Sequence, residues 1–143
     1  MQKPIELDDR VSVSDWLAPE DFADLAERGV TLVVNNRPDG EADDQMTAAQ
    51  AAEIADRHGI DYRHVPVTMD TLSAADVDAF KAALDAADGK VHAHCRSGAR
   101  SATLWAISEV CHRGRDRGAV REHAAARGVD CTPAMRWIER NVN

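Results

Sequence analysis

Cysteine is scarce in this chain of 143 residues, with only Cys95, Cys111 and Cys131. So sparse and odd a count argues against a disulfide framework and for a reducing compartment. Aromatic side chains make up only 4% of the chain. Trp16, Trp105 and Trp137 lie too far apart in sequence to form a stacking platform and are expected to be packing anchors. Positive charge is in deficit: Lys+Arg 17 against Asp+Glu 25 leaves a formal net charge of −8. That disfavours nucleic acid and anionic membrane surfaces as partners, because both need a basic face. There is no run of about 18 apolar residues, so no membrane-spanning segment is expected. The opening MQKPIELDDR lacks the apolar stretch of a secretory leader, and a cytoplasmic location is the expectation. Internal repeats and low-complexity segments are also missing. What is present is ordinary, 44% hydrophobic and 29% charged. That is enough for one domain with a real core, expected to span residues 1–143.

The periodicities alternate between strand and helix. Arg10 to Ser14 alternates as a short strand, and Pro19 opens a helix that Gly29 stops. Val30 to Asn35 is a β-branched run expected to be a buried strand. Asn36 to Gln45 is rich in turn formers, and a helix from about Thr47 to His58 follows. Asp61 to Val67 is the next strand, ended or placed at an edge by Pro66. Ser73, with Asp76 three residues on, resembles a capping box for a helix reaching about Ala87. Lys90 to His94 is a strand, about Ala99 to His112 a long helix, and about Gly118 to Ala126 another. A final helix is expected with Thr132 as cap and Pro133 as its first residue. This alternation argues for an α/β fold of three layers, a mostly parallel central sheet flanked by helices. Ligands in such sheets bind beyond the strands' carboxyl ends. Three loops leave those ends (Asn36 to Gln45, Thr68 to Leu72, Cys95 to Arg100) and should converge on one site.

The run HCRSGARS, from His94 to Ser101, carries the chemistry. It places Cys95 at the end of a strand, then a glycine-containing loop, then Arg100 where a helix begins. Strand, small loop and helix start make an anion cradle, in which backbone N–H groups and the helix dipole point at one spot. A cysteine at its mouth is expected to be ionised at neutral pH, because helix N-termini and neighbouring arginines stabilise a thiolate. Cys95 is therefore the candidate nucleophile, and Arg100 the planar fork that clamps an oxyanion. Arg96 either recruits an anion at the rim or simply faces solvent. Ser97, Gly98 and Ala99 would offer backbone N–H groups, with Gly98 permitting positive φ. Ser101 either bonds the sulfur or serves as a polar first-turn residue. His92, His94 and Cys95 are poorly placed to chelate together, since consecutive strand residues face opposite ways, and no metal is expected. No cofactor is expected either. Cys111, near Leu104, Ile107 and Val110, is expected in the core, and Cys131 in a cap region.

His94, Cys95, Gly98, Arg100 and Ser101 resemble the signature of cysteine-dependent phosphatases and rhodaneses. Tyrosine and dual-specificity phosphatases place five residues between cysteine and arginine; here there are four. The six-residue CRSGAR is similar to the rhodanese loop. DYRHVPVTMDTLS followed by KVHAHC resembles the general-acid loop and cysteine strand of dual-specificity phosphatases, with Asp70 where those enzymes keep the acid. Asp70 is equally describable as a loop or cap residue. The stretches RVSVS, APEDFADLAERGV, VNNRPDGE, YRHVPV and HCRSGARS together resemble the phosphatase-like domain of bacterial β-lactamase-hydrolase-like proteins, over roughly residues 5 to 110. That resemblance implies a protein-tyrosine/dual-specificity-phosphatase-like fold. Some members are sulfur transferases, and some are fused to persulfide-oxidising metallo-hydrolase or sulfide:quinone reductase modules. Sulfide-oxidation enzymes are the implied partners. In such a site His94 would orient the loop by bonding backbone carbonyls, a structural job that a neutral core histidine would also do; Asn35 and Asn36 would brace neighbouring loops, and Arg37 would help bind substrate. Asp39 and Glu41 of the NNRPDGE loop should border the site.

The leading expectation is sulfur transfer: Cys95 takes a sulfane sulfur from thiosulfate or a small persulfide and passes it to a thiol acceptor. The six-residue loop favours it, because it encloses less volume than a seven-residue phosphate loop. The alternative is a phosphate monoester hydrolase acting through phospho-Cys95, with Asp70 as general acid. A non-catalytic module retaining the anion cradle is the third reading, disfavoured by the intact Cys95 and Arg100 pair. A small anionic or sulfur-bearing substrate is common to the first two.

Overall fold

The computed structural model describes residues 1–142. Five strands form one sheet in the order β1-β2-β5-β3-β4. These are β1 (Ile5–Glu6), β2 (Val11–Ser14), β3 (Val30–Asn35), β4 (Asp61–His64) and β5 (Lys90–His94). Strands β2, β5, β3 and β4 are mutually parallel, and β1 pairs antiparallel at the edge. The parallel strands are those expected, apart from β4, which ends at His64, before Val65 and Pro66. The two-residue β1 has too little periodicity to read from sequence.

The β-branched run Val30–Asn35 lies in the middle of the sheet because its side chains feed both faces. Leu32 and Val34 join the core beneath α3 (Ala74–Ala86), α4 (Ala99–Cys111), α5 (Arg117–Ala125) and α6 (Thr132–Asn141). Val30 and Val33 join the smaller core beneath α1 (Asp21–Glu27) and α2 (Ala48–Arg57). The result is the expected three-layer arrangement. Helix α4 is buried from Ser101 through Glu109, between the sheet and its three neighbouring helices. Both Thr47 and Ser73 form capping boxes, at α2 and α3.

Some local expectations need correction. Helix α1 starts at Asp21, with Pro19 ahead of it, because the Asp21 carboxylate accepts the Ala18 N–H at 2.7 Å and holds the entry turn. Helix α6 starts one residue early: Cys131 is the cap, Thr132 the first helical residue and Pro133 the second. Cys111 is exposed, because it is the last residue of α4 and has already left the core. Trp105 and Trp137 are packing anchors, but Trp16 is 50% exposed.

His92 is fully buried on the α1–α2 face of β5, between two serines of β2. Its Nδ1 lies 2.7 Å from Ser12 Oγ and its Nε2 lies 2.7 Å from Ser14 Oγ. Ser14 already donates its hydroxyl to the Asp15 carbonyl, so His92 Nε2–H must donate to Ser14 and Nδ1 must accept from Ser12. Burial fixes this neutral form, lowering His92 to about 3 and His94, on the same face, to about 4. The unfolded chain takes up these protons near 6.5, whereas the folded chain refuses them. Stability should therefore be complete above about pH 6.5 and fall as pH drops, by up to about 1.4 kcal/mol per pH unit for each histidine. Urea unfolding at successive pH values tests this. A flat profile between about pH 6.5 and pH 5, above the range where carboxylates titrate, would refute it.

Candidate active site

Every parallel strand ends at the same edge of the molecule, and the three expected loops meet there through hydrogen bonds. The Asn36 N–H donates to the His94 carbonyl at 2.8 Å, tying the β3 loop to the β5 loop. Asn36 Nδ2 donates to the Val65 carbonyl at 3.0 Å, tying both to the segment after β4. Ser101 Oγ donates to Asn36 Oδ1 at 2.8 Å, fastening the first turn of α4 to the same asparagine. Asn35 braces its own loop: Oδ1 accepts the Arg37 N–H at 2.8 Å, and Nδ2 donates to the Tyr62 hydroxyl at 2.8 Å. His64 Nε2 donates to the Arg37 carbonyl at 2.8 Å. Removing these buried amides from water is tolerable because each is paired.

Cys95 leaves β5 at the centre of this junction and is fully buried. The Gly98 N–H donates to its sulfur at 3.0 Å. Gly98 caps α4 with φ +96°, and a Cβ there would lie 3.2 Å from the Ser14 carbonyl. Both facts demand glycine, and the positive φ is the conformation expected there. The α4 N-terminus thus points at the sulfur and adds positive potential to the N–H contact. The Ala99 N–H is turned to Ser97 Oγ at 3.3 Å, so the loop partly satisfies itself. Ser101 does not reach the sulfur, because its hydroxyl is committed to Asn36.

Arg100, the second residue of α4, is held from one side. Its Nη1 donates to Glu41 Oε2 at 2.7 Å and to the Val67 carbonyl at 2.9 Å, and its Nη2 donates to Glu41 Oε1 at 2.8 Å. A guanidinium has five N–H groups, so Nε–H and one Nη2–H remain for an anion. Arg37 Nε also donates to Glu41 Oε1, at 3.1 Å. One carboxylate therefore aligns two arginines and leaves a net positive charge, although the chain as a whole is acidic. The hydrogen bonds from Arg100 hold the Glu41 carboxyl below its usual range, and Arg100 is raised by Glu41 and, less, by the neighbouring Cys95. Sequence reasoning put Glu41 only at the border of the site. The available signal was an acid four residues after Arg37, in a loop otherwise built of turn formers. Asp39 does not reach the arginines: its Oδ1 accepts the Ala48 N–H at 2.9 Å at the start of α2.

Neither ring nitrogen of His94 makes a hydrogen bond of full geometry among the described residues, and the ring sits as a neutral, buried imidazole beside the Cys95 backbone. The His94 backbone carbonyl performs the bracing. Asp70 sits exposed in the turn before α3, and its carboxylate makes no hydrogen bond among the described residues. Arg96 is exposed at the rim, and Arg37 is buried beside Glu41.

This constellation can accept a small anion and attack it with sulfur. The family model for the phosphatase-like domain of beta-lactamase hydrolase-like proteins matches residues 6–112. The chain belongs to that family. Beta-lactamase hydrolase-like proteins of Agrobacterium fabrum and Xylella fastidiosa are 32% and 36% identical to it over 138 and 136 residues. The aligned part covers 96% and 95% of this chain but 32% of each relative, so the chain spans about a third of their length. Among solved structures, a candidate phosphatase from Neisseria meningitidis superposes with a TM-score of 0.83 at 27% identity, covering 95% of this chain and 96% of the other. TpbA from P. aeruginosa shares the fold, with a TM-score of 0.72 at 19% identity, covering 96% of this chain and 83% of that one. The chain is thus a phosphatase-like domain on a protein-tyrosine-phosphatase-like fold. Among the described residues no helix is long and apolar enough to cross a membrane.

Proposed function

We propose that this phosphatase-like domain hydrolyses phosphate monoesters through a phospho-Cys95 intermediate. The observation that carries the reading is the Gly98 N–H on the Cys95 sulfur at an α4 N-terminus, with Arg100 held alongside by Glu41. Loop amides and the free edge of Arg100 would hold the equatorial oxygens. Cys95 attacks phosphorus, the S–P bond forms and the ester P–O bond breaks. Asp70 gives a proton to the departing oxygen. Water then gives a proton to the Asp70 carboxylate and attacks phosphorus, the S–P bond breaks, and inorganic phosphate and the Cys95 thiolate are released. The exposure of Asp70 suits a group that meets substrate only when bound.

Asp70→Asn separates this role from a plain turn residue. Its turnover of an alkyl phosphate should fall by about 10²-fold. Hydrolysis of p-nitrophenyl phosphate, whose leaving group needs little protonation, should change much less. Equal losses on both substrates would remove Asp70 from the mechanism.

Sulfur transfer, the first expectation from the sequence, stands second, because the family and the structural neighbours are phosphatase-like. One observation favours it: only four residues separate Cys95 from Arg100, and α4 already begins at Ala99, which keeps the cradle small. Here Cys95 attacks the outer sulfur of thiosulfate, a cysteinyl S–S bond forms, and sulfite leaves with the electron pair of the broken bond. An acceptor thiolate then takes the outer sulfur and releases Cys95. Intact mass after thiosulfate, alongside phosphate release from p-nitrophenyl phosphate, decides between them. Cys95-dependent phosphate release without mass gain supports hydrolysis. A gain of one sulfur atom without phosphate release overturns it in favour of transfer.

A further inference from the structure

A hollow of about 370 Å³ opens beside the cysteine loop on the α1–α2 face. Trp16, Arg37, Asp44, Tyr62, His94 and Arg96 are among the residues lining it. Its polar groups are unevenly used. The Tyr62 hydroxyl is taken by Asn35. Arg37 uses its Nε on Glu41, which leaves both Nη groups. Arg96 is exposed and has no hydrogen-bond or ion-pair partner among the described residues. Trp16 presents a half-exposed indole whose N–H is likewise unused. His94 is buried, and neither ring nitrogen makes a hydrogen bond of full geometry among the described residues. Among the described residues that line the hollow, Asp44 is the carboxylate set against these donors. A concave, donor-rich hollow with an exposed indole face fits an anion on a flat or apolar carrier.

We propose that this hollow is a second-anion subsite, so that the substrate carries, besides the group Cys95 attacks, a carboxylate that seats between Arg37 and Arg96 with its carrier against Trp16. The inference rests on Cys95 as nucleophile and adds the substrate class: organic molecules with two anionic groups, rather than a lone inorganic anion. A phosphate monoester or an organic sulfane-sulfur donor could both present this chemistry.

The test uses the full chain with Cys95→Ser, isotopically labelled for NMR. Benzoate should shift the Trp16 indole N–H saturably, neutral benzamide should not, and Arg96→Ala should remove the response. The amides of Gly98 and Ala99 report the cysteine loop separately. There, para-carboxyphenyl phosphate should bind about tenfold tighter than phenyl phosphate, or S-sulfocysteine about tenfold tighter than thiosulfate. Whichever pair loses its gain in Arg96→Ala names the source. Benzoate leaving Trp16 unmoved, benzamide matching it, or neither pair showing an Arg96-dependent gain overturns the subsite. If phosphate and thiosulfate leave Gly98 and Ala99 unmoved while benzoate still shifts Trp16, the cysteine site is refuted instead.

Discussion

Serine at position 95 should lower turnover by roughly 10⁴-fold or more, whether the substrate is a phosphate monoester or a sulfane-sulfur donor. The physical reason is that both reactions need a covalent bond to sulfur. A serine hydroxyl is a far weaker nucleophile than a thiolate unless a base activates it, and the Gly98 N–H that contacts position 95 is a donor, not a base. The fold should barely notice. Serine is nearly the size of cysteine, and its oxygen can accept the Gly98 N–H that the sulfur now accepts. The change in unfolding free energy should stay within about 1 kcal/mol. Steady-state rates and urea unfolding on the same preparation check both halves. A Cys95→Ser protein that retained a tenth of native turnover would remove the nucleophile from this site and with it both reaction schemes.

Arg100→Lys should lower kcat/KM by about 10²- to 10³-fold, with the loss mainly in kcat. Lysine keeps the charge but cannot serve two partners at once. In the native site one guanidinium edge is pinned by Glu41 and by the Val67 carbonyl, and the other edge is left for the anion. An ammonium would be drawn to the Glu41 carboxylate and lose the planar two-point grip on the developing charge. Arg100→Ala should be worse, because it leaves Glu41 near the bound anion with only Arg37 to balance it. Glu41→Gln offers the complementary reading. It retains the shape but weakens the hold on both arginines, so a smaller loss is expected. Because the two residues act as one unit, Arg100→Lys combined with Glu41→Gln should cost less than the sum of the separate changes. Additive losses would show that Glu41 does not position Arg100.

Much of this architecture was legible in residue order. Parallel strands, the Ser73 capping box and the glycine at position 98 each rest on local rules of period, cap chemistry and φ, and local rules act over a few residues. Convergence of the three loops was legible from topology. Errors arose wherever a side chain's fate depended on what lay across space. Cys111 shares a helical stripe with Leu104 and Ile107, yet α4 outruns its neighbours at that point and exposes it. Trp16 looked like an anchor, but the loop after β2 turns it outward to a hollow.

By itself the sequence determined the layered α/β plan, the position of Cys95 at a strand-to-helix junction and the need for glycine three residues beyond it. These follow from covalent neighbours, whose geometry a few dihedral angles decide. Tertiary structure alone decided that Glu41 grips Arg100 from 59 residues away, that Ser101 serves Asn36 rather than the sulfur, and that Arg96 and Trp16 share one hollow. Such pairings depend on which side chains folding brings within about 3 Å, a distance that no spacing along the chain encodes.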